Sequence, residues 1–189
     1  MEVNKADIKL IIGLGNPDKK YENSFHNAGF LFINHLAEKS GLEWKKSKNF
    51  EYFKVGGKIL VKTTEFMNES GKAVSEAVKY FSLGNAIKPE HILIVHDDSD
   101  IELGKYKLQF NRSSAGHKGV ESIINALKTQ KFWRLRIGIG GIKTGLLARL
   151  RSRRMAGDLV LKKISPAELK KMGGIFQDAA NIIFPKNSS

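Results

Sequence analysis

Apolar residues follow two different spacings along the chain, and the two spacings alternate from one end to the other. The apolar run at 9–14 closes at a Gly-Asn-Pro sequence, which predicts a buried strand followed by a turn. The run at 91–96 has no polar alternation, and it predicts a central strand that is covered on both faces. The runs at 106–110 and 133–139 do alternate, so each is expected to present one face to solvent or to a partial cover.

Other stretches repeat apolar residues about every 3.6 positions, the spacing of a helix with one buried face. Four helices are predicted in this way, at 27–39, at 70–83, around 120–127 and from 166 onward. Gly41 and Gly84 stand where the first two helices need a C-terminal cap. The last helix begins with Ser165-Pro166-Ala167-Glu168, which combines a capping box with proline at the first helical position.

The order of these elements predicts the fold class. Two short runs at 52–55 and 59–62 flank Gly56-Gly57 and predict a hairpin. Strands and helices interleave throughout, with no repeat and no linker rich in proline or serine. We therefore predict one α/β domain over residues 1–189, with three α/β/α layers around a mixed, twisted sheet.

Composition removes several classes of protein. The chain has 189 residues and 41% hydrophobic residues, which is enough for a core and unlike a disordered chain. It has no cysteine, so disulfides, a thiol nucleophile and thiolate zinc ligands are excluded. No stretch approaches the roughly 18 apolar residues of a membrane span, so we expect a cytoplasmic protein with no membrane partner.

Positive charge is concentrated in one part of the chain. Lysine and arginine total 32 against 19 acidic residues, a net charge of +13. From 128 to 154 the sequence has no acidic residue and nine basic ones: Lys128, Lys131, Arg134, Arg136, Lys143, Arg149, Arg151, Arg153 and Arg154. A charge run of this kind is either a solvated loop beside a basic strand or a basic arm that follows a phosphate backbone.

The glycines after the first strand raise the question of a dinucleotide site. The fingerprint G-x-G-x-x-G would need glycine at the position of Asp18, and it would need a helix to begin at once. A charged loop follows instead, which disfavours a nucleotide-binding oxidoreductase. The strand and turn are better explained as aiming the amide of Asn16 into a cleft, although an asparagine in a turn often only satisfies that turn.

His26 is the histidine best placed for chemistry, because it stands just before a predicted helix. Its candidate partner is the acidic cluster of Asp97, Asp98 and Asp100 at the end of the central strand. The same three carboxylates are also an alternative Mg²⁺ site. There is no G-x-S-x-G elbow, so a histidine oriented by aspartate and acting directly on water is the simplest hydrolytic machinery.

Such a site also needs donors for a developing oxyanion. Asn16 and Asn68 have the right chemistry. Asn68 precedes a predicted helix, so the alternative role for it is helix capping. An activated ester suits this machinery better than an amide, because an alkoxide leaves more easily than an amide anion.

Six blocks of residues together resemble the bacterial-type peptidyl-tRNA hydrolase family, in order and in spacing, over roughly residues 9–184. The blocks are Gly13-Leu14-Gly15-Asn16-Pro17; Tyr21 with His26-Asn27-x-Gly29; Phe66-Met67-Asn68-x-Ser70-Gly71; His96-Asp97-Asp98-x-Asp100 with Leu103-Gly104; Gly116-His117-x-Gly119; and Arg134-Leu135-Arg136-Ile137-Gly138-Ile139-Gly140. Each block alone is weak, and the six in register are highly specific.

The resemblance implies hydrolysis of the ester between a peptide and the 3′-terminal ribose of tRNA, by a monomer without metal or cofactor. It implies that His26 activates water, Asp97 orients His26, and Asn16 and Asn68 position the carbonyl and stabilise the oxyanion. The implied substrate-binding residues are Tyr21, Phe66, Met67, Asn68, His117 and Lys118. The expected tRNA-binding residues are Lys105, Lys107, Arg134, Lys143, Arg149, Arg151, Arg153 and Arg154.

One departure from the family pattern touches the expected site. Lys118 stands where the family commonly has asparagine, and a charged lysine cannot accept a hydrogen bond. We expect Lys118 to contact the tRNA end or the substrate carbonyl through its charge. The main alternative function is an RNA-binding relative of the same fold that lacks hydrolytic activity.

Overall fold

The apolar runs at 9–14 and 91–96 lie side by side at the centre of a seven-stranded sheet. The structure, a computed structural model, describes residues 3–83, 86–141 and 156–185. The strands are β1 (Leu10–Gly13), β2 (Lys45–Lys46), β3 (Phe50–Val55), β4 (Lys58–Thr63), β5 (Ile92–Glu102), β6 (Tyr106–Phe110) and β7 (Trp133–Gly140). Their order is β2-β3-β4-β1-β5-β7-β6. The pairs β1/β4, β1/β5 and β5/β7 are parallel and the other pairs antiparallel, so the sheet is mixed, as predicted.

Helices cover both faces of this sheet. They are α1 (Ala28–Ser40), α2 (Ser70–Phe81), α3 (Lys118–Leu127), α4 (Ala156–Leu161) and α5 (Pro166–Ile183). On one face α1 and α5 bury Phe32 and Phe176, whose rings meet edge to face with 5.6 Å between centroids. On the other face lie α2 and α3. Ile11 of β1 joins the first core and Leu10 and Ile12 join the second, which confirms the predicted three-layer α/β/α architecture.

Several local signals in the sequence form the structures that they predict. Gly56 and Gly57 have φ of 56° and 73°, the positive values that a two-residue hairpin turn requires. Gly41 caps α1 with φ of 60°. At the start of α5, Ser165 Oγ accepts from the Glu168 N–H at 3.4 Å, and Glu168 Oε2 accepts from the Ser165 N–H at 2.8 Å. No helix within the described ranges is long and apolar enough to cross a bilayer.

Other expectations about the elements are wrong or incomplete. β7 was expected to present one face to solvent or to a partial cover, but it lies between β5 and β6 and most of its residues on both faces are buried, including Arg134. β5 continues through the acidic cluster to Glu102 instead of ending before it. The sequence pattern did not predict β2 or α4. Gly84, the expected cap of α2, lies outside the described residues.

Two glycines allow α1 to pack directly on the strands that carry the site. A Cβ at Gly29 would lie 2.3 Å from the carbonyl oxygen of Val95 and 2.4 Å from the nitrogen of Leu14. A Cβ at Gly13 would lie 2.4 Å from the Gly29 carbonyl oxygen. These separations are too short for any side chain, so the start of α1 sits against the carboxyl ends of β1 and β5. His26, just before α1, is thereby brought to the same edge of the sheet as Asp97.

Candidate active site

His26 and Asp97 form a hydrogen-bonded pair at the carboxyl edge of the sheet. His26 lies in the 3-10 turn Phe25–Asn27 that leads into α1, and Asp97 lies in β5. The His26 Nδ1 is 2.8 Å from Asp97 Oδ1, although the two residues are 71 positions apart. The described residues give His26 Nε2 no partner, so its lone pair is free. The predicted pairing of these two residues is therefore present in the structure.

Asp97 is a buried carboxylate that two imidazoles hold in its ionised form. Its side chain is only 2% exposed, and the same Oδ1 also lies 3.1 Å from His117 Nε2. Burial by itself opposes ionisation, but the attraction and hydrogen bonds of His117 and His26 outweigh it. The pKa of Asp97 therefore lies well below its usual range. A carboxylate that stays ionised accepts hydrogen bonds, so both histidines donate to it.

The donor role of His117 follows from its other nitrogen. His117 is the N-cap of α3, and its Nδ1 accepts from the Val120 N–H at 3.3 Å. The proton of the neutral ring is then on Nε2, facing Asp97. A tight turn delivers the ring: the His117 N–H donates to the Ser114 carbonyl across Ala115 and Gly116, which have φ of 51° and 86°. Both ring nitrogens are occupied within the protein.

His96 forms a buried support behind this pair. It is 1% exposed, and its Nδ1 lies 2.6 Å from the carbonyl oxygen of Asp97. Its ring meets that of His117 edge to face at 4.6 Å between centroids. Burial and the neighbouring His117 lower the pKa of His96 well below its usual value, so this ring is neutral.

Asn16 is fixed by contacts that are distant in sequence. Its Oδ1 accepts from the Met67 N–H at 2.9 Å. The side chain of Asn27 binds both polar atoms of the Asn16 backbone. Its Oδ1 accepts from the Asn16 N–H at 2.8 Å, and its Nδ2 donates to the Asn16 carbonyl at 3.0 Å. The alternative that Asn16 only satisfies its own turn is therefore wrong. With Oδ1 engaged, the Nδ2 donor is directed away from Met67 and has no partner among the described residues.

Asn68 and its neighbours form the short 3-10 turn Met67–Glu69 ahead of α2. The N-caps of this turn and of α2 are Phe66 and Glu69, and neither makes a side-chain capping bond. The capping alternative for Asn68 is therefore wrong, and its side chain is exposed. Met67 is buried at 5% exposure, whereas Phe66 is 44% exposed. A Cβ at Gly119 would lie 2.5 Å from Met67 Sδ, so α3 packs closely on this turn.

Two cavities lie around these residues. The first, of about 450 Å³, is lined by His26, Asp97, Asp98, Ser99, Asp100, Ser114, Ala115, Gly116, His117, Lys118, Val160 and Leu161. The second, of about 420 Å³, includes Asn16 and Asn27 in its lining. Tyr21, Phe66, Met67 and Asn68 line neither. The structure thus brings His26, Asp97, His117 and Lys118 together around the first cavity. Asn16 lines the second cavity instead.

The acidic cluster does not act as one group. Successive residues of β5 point to opposite faces, so Asp97 and Asp98 diverge. Asp98 Oδ2 accepts from Arg136 Nε and NH2, each at 2.7 Å. Among the described residues, the side chains grouped closely enough to ligate a metal are His26, Asp97 and His117, which disfavours the Mg²⁺ alternative.

The expected tRNA-binding residues divide into three groups. Lys105 and Lys107 are exposed at β6, on an edge of the sheet. Arg134 is 2% exposed, its Nε has no partner among the described residues, and burial lowers its pKa to about 10. An arginine in that position does not reach a phosphate on the surface, so the expectation for Arg134 is corrected. The remaining residues, Lys143, Arg149, Arg151, Arg153 and Arg154, lie outside the described residues.

Sequence patterns missed two supports of the site. Asn27 stands in a motif but had no assigned role, and it fixes the backbone of Asn16. His117 was expected to bind substrate, and its ring nitrogens instead contact Asp97 and Val120. The N-cap position of His117, ahead of the predicted helix, is the one signal in the sequence that pointed to its backbone contact.

Fold and site together define an α/β protein with a buried aspartate orienting a histidine whose second nitrogen is free, as in hydrolases that activate water directly. The family model for peptidyl-tRNA hydrolase matches residues 10–185. The chain belongs to the peptidyl-tRNA hydrolase family.

Individual relatives agree with this assignment. The chain is 37% identical over 182 residues to a peptidyl-tRNA hydrolase of Lactobacillus johnsonii, covering 93% of this chain and 91% of the relative. A crystal structure of peptidyl-tRNA hydrolase from Acinetobacter baumannii is 32% identical, with a TM-score of 0.79 over 94% of this chain and 87% of the other. A complex of peptidyl-tRNA hydrolase with n-propanol is 31% identical, with a TM-score of 0.80 over 95% and 88%.

Proposed function

We propose that this protein hydrolyses the ester between a peptide and the 3′-terminal ribose of tRNA, and so recycles tRNA from stalled or aborted translation. The observation that carries the proposal is the His26–Asp97 pair at 2.8 Å, with His26 beside a cavity and its Nε2 without a partner among the residues that the structure describes. The family relationship supplies the substrate class. The cytoplasm, where translation takes place, is the proposed location, and a monomer is the proposed state.

The first step is attack of water on the ester carbonyl. His26 Nε2 takes a proton from the water as its oxygen attacks, and the ring becomes an imidazolium. Asp97 stabilises that charge across its short hydrogen bond. The tetrahedral intermediate then expels the ribose oxygen, which recovers the proton from His26 Nε2. The products are tRNA and a peptide carboxylic acid, which releases its proton to the solvent, and His26 returns to its starting form.

Asn16 and Asn68 are the proposed donors to the oxyanion. The Met67 N–H holds Asn16 Oδ1, so the amide is fixed with its NH2 group available. A donor that is already oriented stabilises developing charge without reorganising during the reaction. Exposed Asn68 and Phe66 and the more buried Met67 are proposed to hold the peptide. Tyr21 is proposed to bind the substrate as well.

His117 is proposed to position Asp97, since neither of its nitrogens is free for substrate. Lys118 is exposed at the first position of α3 and lines the His26 cavity. Its charge is proposed to contact the substrate carbonyl or the tRNA end. If Lys118→Asn leaves both turnover and substrate affinity unchanged, this role is wrong.

The proposed tRNA surface combines exposed Lys105 and Lys107 with the basic segment at 143–154. Nucleic-acid contacts of this kind explain a net charge of +13 in a chain of 189 residues. The alternative, an RNA-binding relative without hydrolytic activity, requires no intact catalytic pair. The short His26–Asp97 contact favours the enzyme.

The test is release of free peptide from peptidyl-tRNA in the presence of a metal chelator. We expect the wild type to remain active and His26→Ala to lose roughly 10²–10⁴-fold in the chemical step. His91→Gln is the matched control, because His91 lies in a separate turn, Pro89–His91. Equal activity of His26→Ala and wild type would exclude the proposed base, and absence of activity in the wild type would favour the RNA-binding alternative.

A further inference from the structure

The side of His26 that faces Asp97 has a geometry that base catalysis alone does not require. His26, Asp97 and His117 each offer one ligand atom, and these three atoms lie within 4.8 Å of one another. Two of the separations are 2.8 and 3.1 Å. The proposed reaction uses one imidazole on this carboxylate as the base and the other only to position the carboxylate. Two imidazole nitrogens and one carboxylate oxygen are a common ligand set for transition metals.

We propose that His26, Asp97 and His117 bind a zinc-like divalent ion, and that this ion switches hydrolysis off. The inhibitory part of the proposal rests on the proposed function of His26 as the base. The ion is an inhibitor in this proposal and takes no part in the reaction.

The two distances to Asp97 fit such an ion with small movements, and the ligand nitrogens of the two imidazoles lie within 4.8 Å of each other. Zinc binds nitrogen at about 2.0–2.1 Å in a tetrahedral arrangement, which places its ligand atoms roughly 3.3 Å apart. The two contacts to Asp97 are already within about half an ångström of that separation. All three residues line the cavity of about 450 Å³, which gives the ion an entry path and room for a water as fourth ligand.

The ligand atoms also select the kind of ion. Imidazole nitrogen favours zinc, cobalt, nickel and copper, whereas Mg²⁺ prefers oxygen ligands and keeps its waters. The exposed fractions of the side chains are 14% for His26, 10% for His117 and 2% for Asp97, so bulk water does not compete freely for the ligands.

Inhibition follows from the position of one proton. An ion on His26 Nδ1 displaces the proton there, and the neutral ring then carries its proton on Nε2. Nε2 is the atom that must accept a proton from water, so the base is lost even when substrate is bound. On His117 the proton moves from Nε2 to Nδ1, which ends the 3.3 Å bond from the Val120 N–H. The total number of protons on the two rings does not change.

Direct binding is measured first, on the full-length protein, with Co²⁺ as a spectroscopic probe and Zn²⁺ as competitor. We expect one ion per chain, with the intense visible absorption of a tetrahedral site. His117→Ala and His26→Ala should each weaken binding by more than about 10-fold, and the His91→Gln control should not. Circular dichroism checks that each variant is folded, and the two variants test the site independently. Absence of Co²⁺ and Zn²⁺ binding, or equal binding by all variants, overturns the proposal.

Inhibition is then measured as the rate of peptide release against free Zn²⁺. We expect the rate to fall in step with occupancy, to recover with chelator, and to be insensitive to Mg²⁺ at equal concentration. The rate of His117→Ala is compared with its own rate without metal. For this variant, the Zn²⁺ concentration that halves the rate should rise by more than about 10-fold. Binding without inhibition, or activation by Zn²⁺, contradicts the switch. Failure of the proposed function can be told apart from failure of the metal site, because Co²⁺ binding can be measured on a protein that does not hydrolyse peptidyl-tRNA.

Discussion

Asp97 determines the behaviour of the site at the scale of single residues. It is buried, accepts from two imidazoles through one oxygen, and has its backbone carbonyl held by a third, His96. A buried carboxylate without partners would become neutral. His26 and His117 therefore keep it charged, and the charge in turn fixes the orientation of His26.

The neutral form of His96 predicts how stability depends on pH. Below about pH 6.5 the unfolded chain protonates this histidine, while the folded chain, whose His96 pKa is lowered by burial and His117, does not. The unfolded state then binds more protons, so the free energy of unfolding decreases as the pH is lowered. This residue contributes at most about 1.4 kcal/mol per pH unit. Asp97 adds a further loss only below its unfolded pKa of 3.8.

Urea titrations between pH 7 and pH 5 measure this dependence. His96→Asn retains a donor for the Asp97 carbonyl and removes the titrating ring, so its stability should vary less with pH. The control His91→Asn should keep the slope of the wild type. His35 also has a pKa lowered by burial, so some slope should remain in His96→Asn. A slope for His96→Asn equal to that of the wild type would show that His96 is not the source.

The proposed oxyanion donors make a second prediction at this scale. Asn16→Ala and Asn68→Ala should each lower kcat by about 10²–10³-fold with less effect on KM, because each contact strengthens in the transition state. Asn34→Ala, on α1, is the matched control. Losses confined to KM would assign these asparagines to substrate binding alone.

Among the secondary-structure elements, close packing of α1 on the sheet is what positions His26. Gly29→Ala would push a Cβ to 2.3 Å from the Val95 carbonyl oxygen. We expect it to lower the free energy of unfolding by about 1–3 kcal/mol or more, and to lower activity by displacing His26. Gly174→Ala in α5 meets no atom within 4 Å, so it should stabilise the protein by about 0.5–1 kcal/mol. Thermal unfolding of both variants checks the contrast, and a neutral Gly29→Ala would contradict the packing argument.

Elements with local causes were predictable from the sequence. The hairpin at Gly56-Gly57 and the capped start of α5 depend on residues that are neighbours in the chain. β7 was misjudged because its burial depends on β6, the edge strand that pairs with it. Nothing in the residues of β7 indicates that pairing. The two residues of β2 form an edge pair too short for any periodicity.

The candidate site follows the same division. His26, Asp97 and Asn16 could be named from their places at the ends of elements. The His117 bond to Asp97 depends on a turn through Ala115 and Gly116 that closes on a residue 20 positions earlier, and no spacing encodes that closure.

At the scale of the whole molecule, exposed lysines lie at both edges of the sheet, and we propose that tRNA binds at one of them. Lys105 and Lys107 lie at the β6 edge of the sheet, whereas the exposed Lys46 lies at the opposite edge, on β2. Affinity for tRNA should fall with salt, and Lys105→Ala or Lys107→Ala should each reduce the slope of log affinity against log salt by about 0.7–0.9 per phosphate contact.

Binding of tRNA at several salt concentrations tests this proposal, with Lys46→Ala as the control that should leave the slope unchanged. Turnover of bound substrate should remain close to that of the wild type in all three lysine variants. An affinity independent of salt would contradict the assignment of the basic surface.

The central claim is that His26 and Asp97 act as one unit that activates water. It is tested most directly by single-turnover hydrolysis of peptidyl-tRNA by the wild type, His26→Ala, Asp97→Asn and the double variant. The account predicts that Asp97→Asn is slower than wild type, and that adding it to His26→Ala costs little more, because an absent base needs no orientation. Independent, multiplicative losses in the double variant would contradict it.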